Sequence, residues 1–171
     1  MPNEIEEHKR LGHKFVIAMW IALMVMIYFL FDDLIKSDYN PNQQVLTQQS
    51  DEQQIVTLKR NRYGHYVTQG EINNHSVTLL LDTGASDISI PEKIAKKLKL
   101  KYGREQHYQT ANGIITGNLT TLNNVSIGNI QLRNVRASIN PKMKGDEILL
   151  GMSFLKFIEF TQRGDTLILR Q

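Results

Sequence analysis

Residues 77–91 read VTLLLDTGASDISIP. Three consecutive leucines, Leu79, Leu80 and Leu81, end abruptly in Asp82, Thr83, Gly84, Ala85 and Ser86. An uninterrupted apolar run of this length predicts a strand buried on both faces. The strand delivers one carboxylate into a tight turn. Thr83 adds a hydroxyl, and Gly84 permits close backbone approach or a positive φ. A carboxylate in that position has two possible fates. It accepts turn hydrogen bonds and is structural, or it does acid–base work in a cleft. The bare tripeptide is a weak match and by itself favours the structural fate.

Outward from this stretch the pattern is mainly of short strands. Residues 62–70 and 72–81 are β-type runs, with Asn73 and Asn74 supplying a turn inside the second. Residues 125–127 and 130–132 alternate around Gly128-Asn129, a two-residue hairpin signal. Residues 157–161 and 166–169 flank Arg163-Gly164-Asp165, a second hairpin. One helix is predicted after Ser89: Glu92 completes a capping box, Pro91 fits the first turn, and Ile94 and Leu98 share a face. A shorter helix is expected near Gly151. The predicted class is all-β, a barrel or a sandwich, with one or two short helices.

The chain has 171 residues, no cysteine, and a formal charge of +3. Disulfides, thiolate metal sites and a Cys nucleophile are therefore excluded. Residues 15–31 (FVIAMWIALMVMIYFLF) are uncharged and almost wholly apolar. As a helix they span about 25 Å, near the thickness of a hydrocarbon core. The run shows no polar face and is followed by Asp32 and Asp33, a poor cleavage context. It reads as an uncleaved membrane anchor. Lys9, Arg10 and Lys14 precede it and Lys36 follows, so the N-terminus is expected in the cytoplasm and the remainder outside. In a bacterial cell that means the inner membrane, with the C-terminal part periplasmic or otherwise extracytoplasmic.

This divides the chain into a cytoplasmic segment (1–14), an anchor (15–31), a flexible linker (32–57) and a folded domain (58–171). The linker assignment rests on residues 37–55, which hold six Gln, two Asn and one Pro among few large apolar side chains. Residues 56–171 carry 16 Lys+Arg against 9 Asp+Glu. Much of that excess is Lys93, Lys96, Lys97, Lys99 and Lys101, which reads as a solvated helix face. No nucleic-acid motif accompanies it, and no nucleic-acid partner is expected. His8, His13, His65, His75 and His107 lack metal-site spacing, and Ser86, Ser89 and Ser153 lack a serine-hydrolase elbow. No metal or cofactor is expected.

In this context Asp82-Thr83-Gly84-Ala85-Ser86 resembles the active-site motif of aspartic proteases. More narrowly the chain resembles a retropepsin-like protease: one Asp-Thr-Gly per chain, and a mostly β domain of little over a hundred residues. Ile148-Leu149-Leu150-Gly151 resembles the segment that packs behind the catalytic turn in that family. Thr110-Ala111-Asn112-Gly113 falls where the family places its flap hairpin. Together with the anchor, the arrangement is similar to the membrane-tethered bacterial branch of the family. Met152 replaces an Arg of the viral enzymes, Ser86 replaces an acidic residue, and the flap carries one Gly at its tip.

The resemblance implies an acid-protease β-barrel, and a peptide hydrolase with Asp82 as its catalytic residue. Two carboxyls a few Å apart share one proton, because like charges that close cannot both ionise cheaply. Asp87, Asp146 and Asp165 are the internal alternatives for the second carboxyl, but none sits in a second such turn. The expected partner is Asp82 of another copy, across a two-fold axis. The resemblance further implies that Thr83 links the two turns, that Gly84 admits water or substrate, and that Ser86 hydrogen-bonds the carboxylate. The hairpin over 110–117, centred on Asn112-Gly113, would close over a peptide. The alternative is a non-catalytic dimerisation or binding module on the same fold.

Overall fold

Apolar side chains from Phe15 to Phe31 lie exposed along one continuous helix, α1 (Asn3–Tyr39). Charged residues at both ends join the helix because Glu and Lys are good helix formers, and Lys36 pairs with Asp32 one turn earlier at 2.6 Å. The segment Gly12–Tyr39 is long and apolar enough to cross a membrane. The computed structural model describes residues 3–50, 53–110 and 113–171. These form two units, the first ending at Asp38 and the second running Tyr39–Gln171.

The second unit is built almost wholly from strands. They are β1 (Leu46–Ser50), β2 (Gln53–Lys59), β3 (Val67–Ile72), β4 (His75–Leu81), β5 (Ile88–Pro91), β6 (Glu105–Thr110), β7 (Gly113–Ile127), β8 (Ile130–Asn140), β9 (Glu147–Leu150), β10 (Glu159–Arg163) and β11 (Thr166–Arg170). Two short helices interrupt them, α2 (Glu92–Lys97) and α3 (Met152–Leu155). Seven strands run in the order β3-β4-β9-β5-β8-β7-β6, and β3 also pairs with β7, which closes the sheet on itself. The other four form a sheet ordered β1-β2-β11-β10. The expected all-β barrel class is what the structure has.

The turns follow from local chemistry. Asn73 and Asn74 both take positive φ (50° and 65°), the geometry of a two-residue hairpin turn, between paired Ile72 and His75. Gly128 (φ 56°) and Gly164 (φ 58°) serve the β7–β8 and β10–β11 hairpins. The barrel core gathers Leu79, Ile88, Ile90, Leu122, Ile139, Ile148, Leu150 and Phe154, all fully buried.

Four sequence expectations need correction. The leucine run of β4 is not buried on both faces. Leu79 is buried while Leu80 and Leu81 are half-buried, because the strand lies in a barrel wall with one face on the core. The strand expected over 62–70 begins only at Val67; before it, Asn61 Oδ1 accepts the amides of Tyr63 (3.0 Å) and His65 (2.9 Å) and makes a turn. Ser89 does not cap α2: it lies within β5, and the N-cap is Pro91.

The fourth correction concerns 32–57, which composition alone puts in a flexible linker. Residues 32–39 continue α1, β1 takes Leu46–Ser50, and β2 begins at Gln53. Val56 and Leu58 are fully buried, and β2 pairs with β11 across Lys59–Thr166 to Ile55–Arg170. The polar stretch before β1 is equally integrated. Asn42 is buried, and its amide donates to the carbonyls of Lys59 (2.9 Å) and Val67 (2.7 Å) while its Oδ1 accepts the Lys59 N–H (2.7 Å). Asn40 Oδ1 accepts the Asn42 N–H, Asn61 donates to the Tyr39 carbonyl, and the Tyr39 hydroxyl donates to Glu147 at the head of β9. Asparagine here substitutes for strand pairing, satisfying backbone groups between β2 and β3.

Candidate active site

β4 hands the chain directly to Asp82. The Asp82 amide donates to the Leu150 carbonyl (3.1 Å), and the turn closes with Ala85 N–H on the Asp82 carbonyl (3.2 Å). One carboxylate oxygen, Oδ1, accepts the Gly84 N–H at 2.9 Å. The hydrogen bond expected from Ser86 is therefore supplied by Gly84 instead. Asp82 is half-buried, Ala85 likewise, and Thr83, Gly84 and Ser86 are exposed.

The segment behind the turn explains its shape. β4 and β9 run parallel, matching Leu81 with Leu150. After β9 the chain turns at Gly151, and α3 directs its first amides at the Asp-Thr-Gly loop. Met152 N–H donates to the Ala85 carbonyl (2.8 Å) and Ser153 N–H to the Ser86 carbonyl (2.9 Å). The Ser153 hydroxyl accepts the Ile88 N–H at 3.0 Å. A Cβ on Gly151 would stand 2.3 Å from the Asp87 carbonyl oxygen and 2.5 Å from that of Ala85. Leu149, Leu150 and Gly151 thus lie against the turn, with Leu150 buried and Leu149 also facing a cleft.

That cleft has a volume of about 680 Å³. Asp82, Gly84 and Ala85 lie on one side. Tyr108, Thr110, Ile114 and Ile115 of the β6–β7 hairpin lie on another, and Lys142 and Met143 of the β8–β9 loop also line it. Thr110 and Gly113 are register partners at the hairpin end, with the Thr110 hydroxyl donating to the Gly113 carbonyl (2.7 Å). Ala111 and Asn112, the other two residues expected at the flap tip, lie outside the described residues.

The other candidate carboxylates are engaged elsewhere. Asp87, though it lines the cleft, is buried; its Oδ1 accepts Arg136 Nε (2.7 Å) and its Oδ2 the Tyr108 hydroxyl (2.8 Å). Asp146 pairs with Lys93 Nζ (2.8 Å), whose hydrogen bond and charge hold its carboxyl below the usual range. Asp165 pairs with Arg60. Burial, then the hydrogen bond to Asp87, push the Tyr108 hydroxyl up to about 12. Sequence reasoning missed Tyr108 and Arg136. Their partner is 21 and 49 residues away, and the only local signal was an Asp following the catalytic-type turn.

Comparison with known proteins places this geometry in context. The sequence profile of the family described as "gag-polyprotein putative aspartyl protease" matches residues 68–157. An uncharacterised Sinorhizobium protein from the cobV 5′ region is 33% identical over 162 residues, covering 91% of this chain and 70% of that protein. An uncharacterised Rickettsia prowazekii protein is 37% identical over 120 residues, 67% of this chain, and the match spans only 50% of that relative. Among solved structures, a retropepsin-like aspartic protease from Rickettsia conorii superposes with a TM-score of 0.59 at 35% identity, over 74% of this chain and 95% of that one.

Proposed function

The chain belongs to the retropepsin-like aspartic protease family, and from that premise we propose that it is an endopeptidase whose catalytic carboxylate is Asp82, paired with Asp82 of a second copy. The observation that carries the reading is the placement of Asp82. It stands in a cleft, at a turn braced from behind by the Leu150 carbonyl and the first amides of α3, with one oxygen held by Gly84. Asp87, Asp146 and Asp165 each hold a cation instead, which favours a second chain as the source of the partner carboxyl.

In the proposed reaction the ionised member of the pair takes a proton from a water. The protonated member gives its proton to the carbonyl oxygen as that water attacks the carbonyl carbon. The member that is now protonated then gives its proton to the nitrogen, the C–N bond breaks, and the other carboxylate takes a proton from a hydroxyl of the tetrahedral diol as the C=O re-forms, leaving one proton on the pair. The exposed Thr83 and Gly84 suit contact with the other copy and with substrate. The β6–β7 hairpin acts as the flap, closing over the bound peptide and excluding water.

We place α1 in a membrane as a single span, with its N-terminus cytoplasmic and the protease unit on the other side. Its length, apolar surface and preceding basic residues support that reading. Confinement of two copies to one plane raises their effective concentration. The test uses the full chain in lipid vesicles against a diverse peptide pool, beside Asp82→Asn. Cleavage by the wild type alone, with specific activity rising with protein density, is expected. No cleavage by an assembled dimer favours a non-catalytic dimerisation module on the same fold. Cleavage by both proteins assigns the activity to another residue.

A further inference from the structure

The β6–β7 hairpin is a cantilever. β6 is the terminal strand of its sheet and pairs with β7 over Glu105–Asn118 to Thr110–Gly113. β7 pairs with β8 only from Asn118 onward, where Asn118 meets Ile139. Residues 113–117 therefore pair with β6 and not with β8, although Gly117 at their base lies against the Ile139 carbonyl. The side-chain hydrogen bonds of Gln106, His107 and Thr110 stay inside the hairpin. That of Tyr108 leaves it. Its hydroxyl reaches Asp87 just before β5, beside Ser138 of β8.

The receiving end is built to hold. The Asp87 side chain is 2% exposed, and both of its oxygens are occupied, one by the Tyr108 hydroxyl and one by the Arg136 guanidinium. A buried carboxylate makes a stronger acceptor than a neutral group, and an unsatisfied one is costly. The three residues come from three separate parts of the barrel, so the contact ties the hairpin to the cleft floor.

We propose that Tyr108, Asp87 and Arg136 form a latch that holds the β6–β7 hairpin over the cleft, and that a peptide enters and leaves through its release. Tyr108 and Asp87 are positioning residues in this scheme. The inference deepens the protease reading and rests on it for the peptide, but the latch itself is measurable without catalysis. Tyr108→Phe keeps the ring that lines the cleft and removes the hydroxyl. In the full chain, amide hydrogen exchange over residues 105–110 and 113–117 is expected to accelerate about tenfold or more, with β4 and β9 unchanged. Asp87→Asn is expected to loosen the same residues, and the double variant to add little to either single one. Unchanged exchange in the hairpin overturns the latch, and so does acceleration spread equally through β4 and β9. If the wild type cleaves peptides, Tyr108→Phe is expected to change KM by more than kcat. A fall in kcat with KM unchanged would assign Tyr108 to the chemical step and overturn the latch. An inactive wild type whose hairpin still loosens on Tyr108→Phe would sink the protease reading alone.

Discussion

Gly151 has an ordinary backbone conformation, φ −91°, yet no room for a side chain. The obstruction is the backbone of the loop it supports, which cannot swing aside as a side-chain end would. Gly151→Ala is expected to destabilise the fold by on the order of 3 kcal/mol, read as a lower midpoint in chemical denaturation. Tyr108 makes a second prediction at this scale. Its raised value means the folded state holds the phenolic proton that the unfolded chain releases near 10. Stability from this group is thus complete below about pH 10 and is lost as pH rises through about 12. A phenolate absorbance titration of the wild type minus that of Tyr108→Phe is expected to show one late-titrating tyrosine. A difference curve centred near pH 10 would contradict it. Asp82 was legible from sequence because its whole setting is contiguous: an apolar strand, a turn and a glycine. The partners of Asp87 were not, because only the β5, β6 and β8 pairings bring them together.

Among the elements, the Gln- and Asn-rich segment shows where reading by composition stops. β1 is mostly exposed, so its sequence carries no apolar alternation. β2 does alternate around Val56 and Leu58, but it starts within the polar stretch and the pattern is short. The structural part of the segment before them is done by amides rather than by apolar burial. Asn42 alone satisfies two carbonyls and one N–H from two strands. Asn42→Ala strands those buried groups and is expected to cost about 3 kcal/mol. Urea unfolding would show a lower midpoint at an unchanged slope. Three of the hairpins, β3–β4, β7–β8 and β10–β11, were by contrast legible. Two-residue turns need positive φ, and Asn73-Asn74, Gly128 and Gly164 announce it locally.

At the scale of the whole molecule, the all-β class was readable from repeated short apolar runs, while the division into a seven-stranded and a four-stranded sheet was not. Strand order depends on pairings such as β2 with β11, over a hundred residues apart, for which the sequence has no local mark. The four-stranded sheet has a consequence in time. The strands at both ends of the second unit, β1-β2 and β10-β11, meet within one chain, and their apolar residues Val56, Leu58, Leu167 and Leu169 are already covered there. Refolding from denaturant is therefore expected to begin with a unimolecular phase whose rate is the same at every dilution. Any pairing of copies would follow as a separate bimolecular event. A newly made chain completes its own barrel before it has met a second one.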